Sequence, residues 1–277
     1  MTKFKAACVQ NTADRDPAPS MAKLSELIKR ARDVDSDLIM TPEVCHMLEP
    51  RRKLGIEKAQ IETANESLEI FRSLAIETGA WLLIGSMAIK LQDEERMANR
   101  SFLINPEGKI KGRYDKIHMF DVDVGEGDSY RESNGYRPGE SSIIKKLPWG
   151  NLGMTICYDM RFPNLYRDLA KAGADFLAAP SAFTVPTGRA HWHVLLRARA
   201  IENGCFVFAP AQVGEHAEGR KTYGHSLIVD PWGEVLADGG DDVGFVTAEI
   251  DVTKVKEARS RVPSLFNDRP YSAPKLD

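Results

Sequence analysis

The sequence predicts an α/β protein built on mixed sheets, and three observations carry that expectation. Short apolar strand-like runs recur along the whole chain, helical patterns fall between several of them, and two turn sequences join strand pairs directly. Many of the runs are apolar at successive positions, as in strands covered on both faces. The sheets are therefore expected between helices and against each other. No repeat, low-complexity stretch or flexible linker divides the 277 residues. The reading is one domain over 1–265 and a polar, extended tail over 266–277.

Phe4–Val9 is the first strand. In the helix that follows, Met21, Leu24, Leu27, Ile28 and Ala31 share one face, with Lys23, Glu26, Lys29 and Arg30 turned away from it. Asp37–Met40 is a strand. Leu68, Phe71, Leu74 and Ala75 mark a second helix, which Gly79 stops. Trp81–Ile89 and Ser101–Ile104 are strands, and Asn105-Pro106-Glu107-Gly108 turns the second of them into KIKGRY. Met119–Pro138 has little periodicity and many carboxylates, and reads as a long loop of the kind that often serves function. Pro148-Trp149-Gly150 leads into a strand over Leu152–Cys157. A third helix follows Pro163 and ends near Gly173, before a strand at Phe176–Ala179. A fourth, about Arg189–Asn203, closes at Gly204. Strands at Cys205–Ala209 and Ser226–Val229, a turn at Asp230-Pro231-Trp232-Gly233, a strand at Gly244–Ile250 and a short helix over Thr253–Arg261 complete the chain.

Charge and composition narrow the function. The 37 Lys+Arg against 40 Asp+Glu give a formal charge of -3, so no basic excess drives nucleic-acid binding and no polybasic segment suits an anionic membrane. No apolar run reaches bilayer-spanning length. The start, MTKFKAACVQ, lacks the pattern of a secretory signal. Cys8, Cys45, Cys157 and Cys205 show neither metal-ligand spacing nor a paired framework. A reduced, cytoplasmic protein with free thiols is expected, so the glycosylation-like triplets at Asn65 and Asn99 are read as chance.

Most motifs fail. There is no phosphate loop and no G-x-S-x-G elbow, and Gly125-Glu126-Gly127 lacks the rest of a dinucleotide fingerprint. Asp121, Asp123 and Glu132 fit an EF-hand frame, but Gly125 and Glu126 stand where a ligand and the turn glycine belong. His191 and His193 are two apart on a helix and so do not face each other, which argues against a shared ion. No metal is expected.

What remains is three segments that end a predicted strand in a reactive residue: Glu43 in DLIMTPE, Lys116 in GRYDK, and Cys157 in LGMTIC. In α/β sheets, sites assemble beyond the carboxyl ends of strands. The set is chemically coherent. Glu43 can take a thiol proton and return it to a leaving amine, while Lys116 offsets a thiolate and donates to an oxyanion. The backbone N–H of Tyr158 is a second oxyanion donor. Arg161 is open to meeting a substrate carboxylate or to pairing with Asp159 or Asp168.

The segments TPEVC, YDKIHMFDVDV and ICYDMRFP, in this order, resemble the nitrilase, or carbon–nitrogen hydrolase, superfamily over about Phe4 to Tyr271. The resemblance implies a four-layer α-β-β-α sandwich with mixed sheets, a Glu43-Lys116-Cys157 triad, no cofactor, and a homodimer or higher homo-oligomer. It also implies a supporting glutamate in the loop after the lysine, which YRES supplies as Glu132. PSAFTVPTGRAHWHVLLRARAIENGCFVFAPAQ and YGHSLIVDPWGEVLA are similar to the Nit branch and, within it, to deaminated-glutathione amidases. That implies hydrolysis of a small carboxylated amide through a Cys thioester. The alternatives are an ω-amidase acting on α-ketoglutaramate, or another amidase or N-carbamoylase of the superfamily. A non-catalytic binding protein on the same fold is disfavoured because all three triad positions are filled. Phe183 and Thr184, after a predicted strand end, are the expected substrate contacts.

Overall fold

The computed structural model describes residues 2–124 and 129–274. The chain opens with β1 (Lys3–Gln10), α1 (Pro17–Asp33) and β2 (Leu38–Met40). Then come α2 (Arg52–Lys58), β3 (Gln60–Ile61), α3 (Glu66–Thr78), β4 (Trp81–Lys90), β5 (Met97–Ile104) and β6 (Ile110–Asp115). A short ribbon pairs β7 (Asp121–Asp123) with β8 (Ser129–Arg131). The second half holds β9 (Ile143–Leu147), β10 (Gly150–Met154), α4 (Pro163–Lys171), β11 (Phe176–Ala178), α5 (Val185–Asn203) and β12 (Phe206–Ala209). It ends with β13 (Val213–Glu215), β14 (Lys221–Tyr223), β15 (Leu227–Val229), β16 (Val235–Asp238), β17 (Gly244–Asp251) and α6 (Thr253–Arg261).

Two mixed sheets result. The first runs β17-β1-β2-β4-β5-β6, with β3 beside β4. The second runs β16-β15-β12-β11-β10-β9. Each has three parallel strands at its centre and antiparallel strands outside, β1-β2-β4 in one and β10-β11-β12 in the other.

The alternation of side chains sorts the layers. Ala7, Val9, Ile39, Leu82, Ile84 and Phe102 pack on the apolar stripes of α1 and α3. Their neighbours Ala6, Cys8, Leu38, Met40 and Leu83 point the other way, into a core shared with the second sheet. Phe4 stacks on Trp149 at 4.3 Å and meets Phe176 edge-on at 5.4 Å across that interface. On the far side of the second sheet, a Cβ added at Gly153 would lie 3.1 Å from Leu169 of α4, and Trp192 and Leu196 of α5 join the same core. The order is helix, sheet, sheet, helix, as the resemblance implied.

Local chemistry sets the element ends. Pro17 starts α1, and the Asn65 side chain accepts from the Leu68 N–H at 2.9 Å to cap α3. Gly79 closes α3 at φ 63°. Asn65 and Asn99 are both buried, in keeping with the triplets there being coincidental.

Some elements differ from expectation. α5 begins at Val185 rather than Arg189, because Pro186 falls in the first turn, where its missing N–H costs nothing. α2 has no apolar stripe to announce it, its only buried residue being Gly55. The strand expected over Leu152–Cys157 stops at Met154, and Cys157 instead opens a 3₁₀ turn, Cys157–Arg161. The expected loop Met119–Pro138 contains the β7–β8 ribbon, and its Gly125-Glu126-Gly127 lies outside the described residues.

Candidate active site

Glu43 lies just past β2, Lys116 just past β6 and Cys157 just past β10. All three border one cavity of about 360 Å³, together with Glu132, Phe183 and Thr184. Of the four cysteines, only Cys157 borders it.

One close approach brings the strand ends together. A Cβ at Gly85 of β4 would stand 2.0 Å from the Thr41 carbonyl oxygen, 2.4 Å from that of Pro42 and 2.5 Å from Pro180 Cβ. Only glycine lets both the Thr41-Pro42-Glu43 stretch and the Pro180-Ser181-Ala182 stretch pass over the strand at that height. The Cys157 N–H then donates to the Pro180 carbonyl at 2.9 Å, and the Ala182 N–H donates to Glu43 Oε2 at 2.9 Å. Cys157 has φ 48°, a left-handed conformation uncommon for a residue with a side chain.

The charges form a closed group. Lys116 Nζ donates to Glu43 Oε1 at 2.8 Å and to Glu132 Oε2 at 2.8 Å, and is only 2% exposed. Glu132 Oε2 also accepts the Phe120 N–H at 2.7 Å, which orients its carboxylate. Burial alone would raise Glu43 and lower Lys116. Their mutual attraction wins, aided at Glu43 by donation from Cys157 and Ala182 and at Lys116 by Glu132. Glu43 is held below the ordinary carboxylate range and Lys116 well above its own.

Cys157 lies beside this pair, hydrogen-bonded to Glu43. Burial and the neighbouring Glu43 carboxylate push its thiol well above the ordinary range, and Lys116 offsets only part of this. Two carboxylates already share the lysine, so the upward push on the thiol favours its neutral form. Its proton faces an ionised Glu43. Burial also raises the other cysteines, Cys45 and Cys205 to about 12. Position at the cavity, not acidity, therefore distinguishes Cys157.

Two supporting residues escaped the sequence reading. Asn99 Nδ2 donates to Glu43 Oε1 at 3.0 Å and to Glu132 Oε1 at 3.1 Å, bridging the two carboxylates that flank the lysine. Nothing in the sequence around Asn99 signals this. Replacing Asn99 by alanine is expected to lower kcat roughly tenfold with KM little changed, since the loss acts on group placement. Steady-state kinetics beside a melting curve checks it, and a change confined to KM would refute it.

Asp159 is the second. It is fully buried and accepts from Tyr114 Oη at 2.7 Å, from the His118 N–H at 3.0 Å and from the Ile156 N–H at 2.8 Å. Tyr114 and His118 flank Lys116, and Ile156 precedes Cys157. One carboxylate thus ties the lysine strand to the turn that Cys157 opens. Asp159 stands two residues after Cys157, and nothing in the sequence alone marks its partners on the lysine strand.

The remaining candidates divide. Phe183 packs against Trp192 with ring centroids 5.0 Å apart, and the Thr184 hydroxyl pairs with Thr187 at 2.7 Å. The Tyr158 ring meets Phe120 and Phe162 edge-on and forms no wall of the cavity, leaving its backbone N–H beside Cys157 as its contribution to consider. Arg161 pairs with neither Asp159 nor Asp168. It lies over the Phe183 ring at 5.4 Å and contacts His191 at 3.2 Å. Arg220, which was not singled out, borders the cavity with a buried Nε that lacks a partner among the described residues. Its Nη2 donates to the Ala182 carbonyl at 3.3 Å.

Residues 5–260 match the carbon–nitrogen hydrolase family. Over 268 residues the chain is 40% identical to a deaminated glutathione amidase of Synechocystis, covering 96% of this chain and 98% of that protein. It is 38% identical over 270 residues to the human deaminated glutathione amidase, covering 95% of this chain and 82% of that protein. The crystal structure of the C. elegans NitFhit protein is similar at a TM-score of 0.91 and 36% identity, over 97% of this chain and 65% of that one.

Proposed function

The chain belongs to the carbon–nitrogen hydrolase family, and from that premise we propose that it is a thiol amidase working through Cys157, Glu43 and Lys116. The observation that carries this reading is the buried Glu43–Lys116 pair at 2.8 Å beside the one thiol that borders the cavity. Cys157 Sγ attacks the amide carbonyl carbon while its proton passes to Glu43. The tetrahedral oxyanion is met by the Tyr158 N–H and by Lys116, which turns one N–H to it by giving up the longer of its two bonds to Glu132, the 3.0 Å contact with Oε1. The C–N bond breaks as Glu43 gives its proton to the departing nitrogen. Water then attacks the thioester carbon and yields a proton to Glu43. The C–S bond breaks, the proton returns to sulfur, and a free acid leaves. Glu132 holds Lys116 between two carboxylates throughout.

Because the resting thiol is neutral and Glu43 is ionised, no group essential to attack titrates near neutrality. Activity is expected to stay level between about pH 6 and 8.5, without the alkaline rise of a simple thiol near its usual pKa of about 8.5. Acid inactivation should follow protonation of Glu43, below the ordinary carboxylate range. A kcat/KM profile climbing tenfold per pH unit toward 8.5 would contradict this.

The substrate we propose is deaminated glutathione, giving α-ketoglutarate and cysteinylglycine. The names of the 38–40% identical relatives support it, and so does a cavity within the range of roughly 300–1,000 Å³ usual for small ligands. Arg220, with its unpartnered Nε, is suited to a substrate carboxylate. A mass-spectrometric assay on deaminated glutathione and on α-ketoglutaramate tests the substrate. The first should be turned over with the higher kcat/KM, and a reversed preference or inactivity on both would sink the assignment. In the same assay Arg220→Ala should raise KM for the carboxylated amide roughly 10- to 100-fold, the value of a charge-assisted bond. Hydrolysis of an uncharged amide should change far less.

A further inference from the structure

Outside the catalytic cavity, three side chains from separate segments converge on the face of the second sheet beside α5. His193 Nε2, from α5, lies 3.0 Å from Asp238 Oδ2, at the end of β16. His225 Nδ1, from the link between β14 and β15, lies 2.8 Å from Asp238 Oδ1. The ligand atoms of the three residues all fall within 4.8 Å of one another. None of the three borders the catalytic cavity.

We propose that His193, His225 and Asp238 bind a divalent transition-metal ion of the zinc class, one per chain. Two imidazoles and one carboxylate, with a water as fourth ligand, form a donor set that zinc accepts and that magnesium or calcium does not favour. Ligand atoms about 2.1 Å from a tetrahedral ion stand roughly 3.4 Å apart, so the observed cluster needs only small side-chain rotations. The pair that fails on one helix, His191 and His193, is thus replaced by a pair across elements. His191 turns instead toward Arg161.

The surroundings support binding and not merely a packed cluster. His225 has φ 55°, a left-handed conformation for a side-chain-bearing residue, which turns it toward Asp238. Its carbonyl accepts from Trp192 Nε1 at 2.7 Å, and its ring stacks on Tyr223 at 4.5 Å, so its orientation is fixed from both sides. With an ion on Nδ1, the His225 proton sits on Nε2, which faces Asp241 Oδ1 at 3.5 Å. A carboxylate behind a ligating imidazole is the usual partner that fixes its tautomer. The Gly240 N–H donates to Asp238 Oδ1 at 2.9 Å, holding the third ligand. All three residues are partly exposed, which leaves the ion a way in.

The test is calorimetric titration of the whole chelator-stripped protein with Zn2+ alone, at neutral pH, with visible absorption of the Co2+ form as the geometric readout. One ion per chain is expected, with a rise in melting temperature and a tetrahedral cobalt spectrum. His193→Gln and His225→Gln should each weaken binding by about tenfold or more and remove the thermal shift. His191→Gln should do neither. His193 is surface-accessible, so its variant carries the test if His225→Gln fails to fold. No saturable binding by the wild type, or binding that survives His193→Gln unchanged, overturns the proposal.

Discussion

Replacing Cys157 by alanine is expected to abolish amide hydrolysis, a fall in kcat of at least ~10⁴-fold, because no other thiol reaches the cavity and the thioester route has no substitute nucleophile. The fold should persist. The sulfur borders an existing cavity, so its removal opens no new void inside a packed core. Cys8, Cys45 and Cys205 give the opposite pattern. Each is fully buried away from the cavity, and alanine there should cost stability while leaving kcat near the wild-type value. A glycine variant sharpens the contrast. At φ 48° the Cys157 backbone favours glycine, so Cys157→Gly should recover roughly 1 kcal/mol relative to Cys157→Ala while remaining inactive. Activity and thermal unfolding measured side by side decide the matter. A Cys157→Ala protein retaining more than about one hundredth of wild-type kcat would remove the thiol from the mechanism.

The sequence exposed what local chemistry controls. Proline and glycine in Asn105–Gly108 and Asp230–Gly233 pre-set turn dihedrals, and both hairpins stand where those residues put them. α6 spans Thr253–Arg261, the residues expected. The convergence of Glu43, Lys116 and Cys157 on one cavity was legible because each follows a predicted strand, and strand ends are where such sites form. Long-range partnership was not legible. Asn99 reads as an ordinary strand residue until the strand brings it between Glu43 and Glu132. Arg220 and Asp159 are defined by groups far along the chain, as are His225 and Asp238. The upward push on the Cys157 thiol also required the structure. A lysine nearby predicts a thiolate only if its charge is free, and here two carboxylates hold it.

That same sharing makes Lys116→Met the most informative change after Cys157→Ala. Methionine matches the length of the lysine stem, so packing is largely kept and the cation is lost. Oxyanion donation disappears, and kcat should fall by roughly 10³-fold. The larger lesson lies in stability. In the wild type, Glu43 is held below its ordinary range. Its stabilisation is present above the unfolded carboxylate pKa and is lost as pH falls through the folded value. Lys116 is held above its own range. Its stabilisation is present below the unfolded lysine pKa and is lost as pH rises through the folded value. Stability should therefore be broad across neutral pH. Without the cation, Glu43 is buried beside Glu132 with nothing to compensate its charge, and removing one partner of a buried ion group costs about 3–5 kcal/mol. Glu43 then retains its proton, with a folded pKa above the unfolded one. The sign reverses: the variant gains stability as pH falls toward the carboxylate range and loses it as pH rises through the raised value. Melting temperatures between about pH 4 and 9 should show the gap between wild type and Lys116→Met narrowing on the acid side and widening above it. Parallel curves would mean that Lys116 does not neutralise the two carboxylates, and the charge arrangement on which the mechanism depends would fail with it.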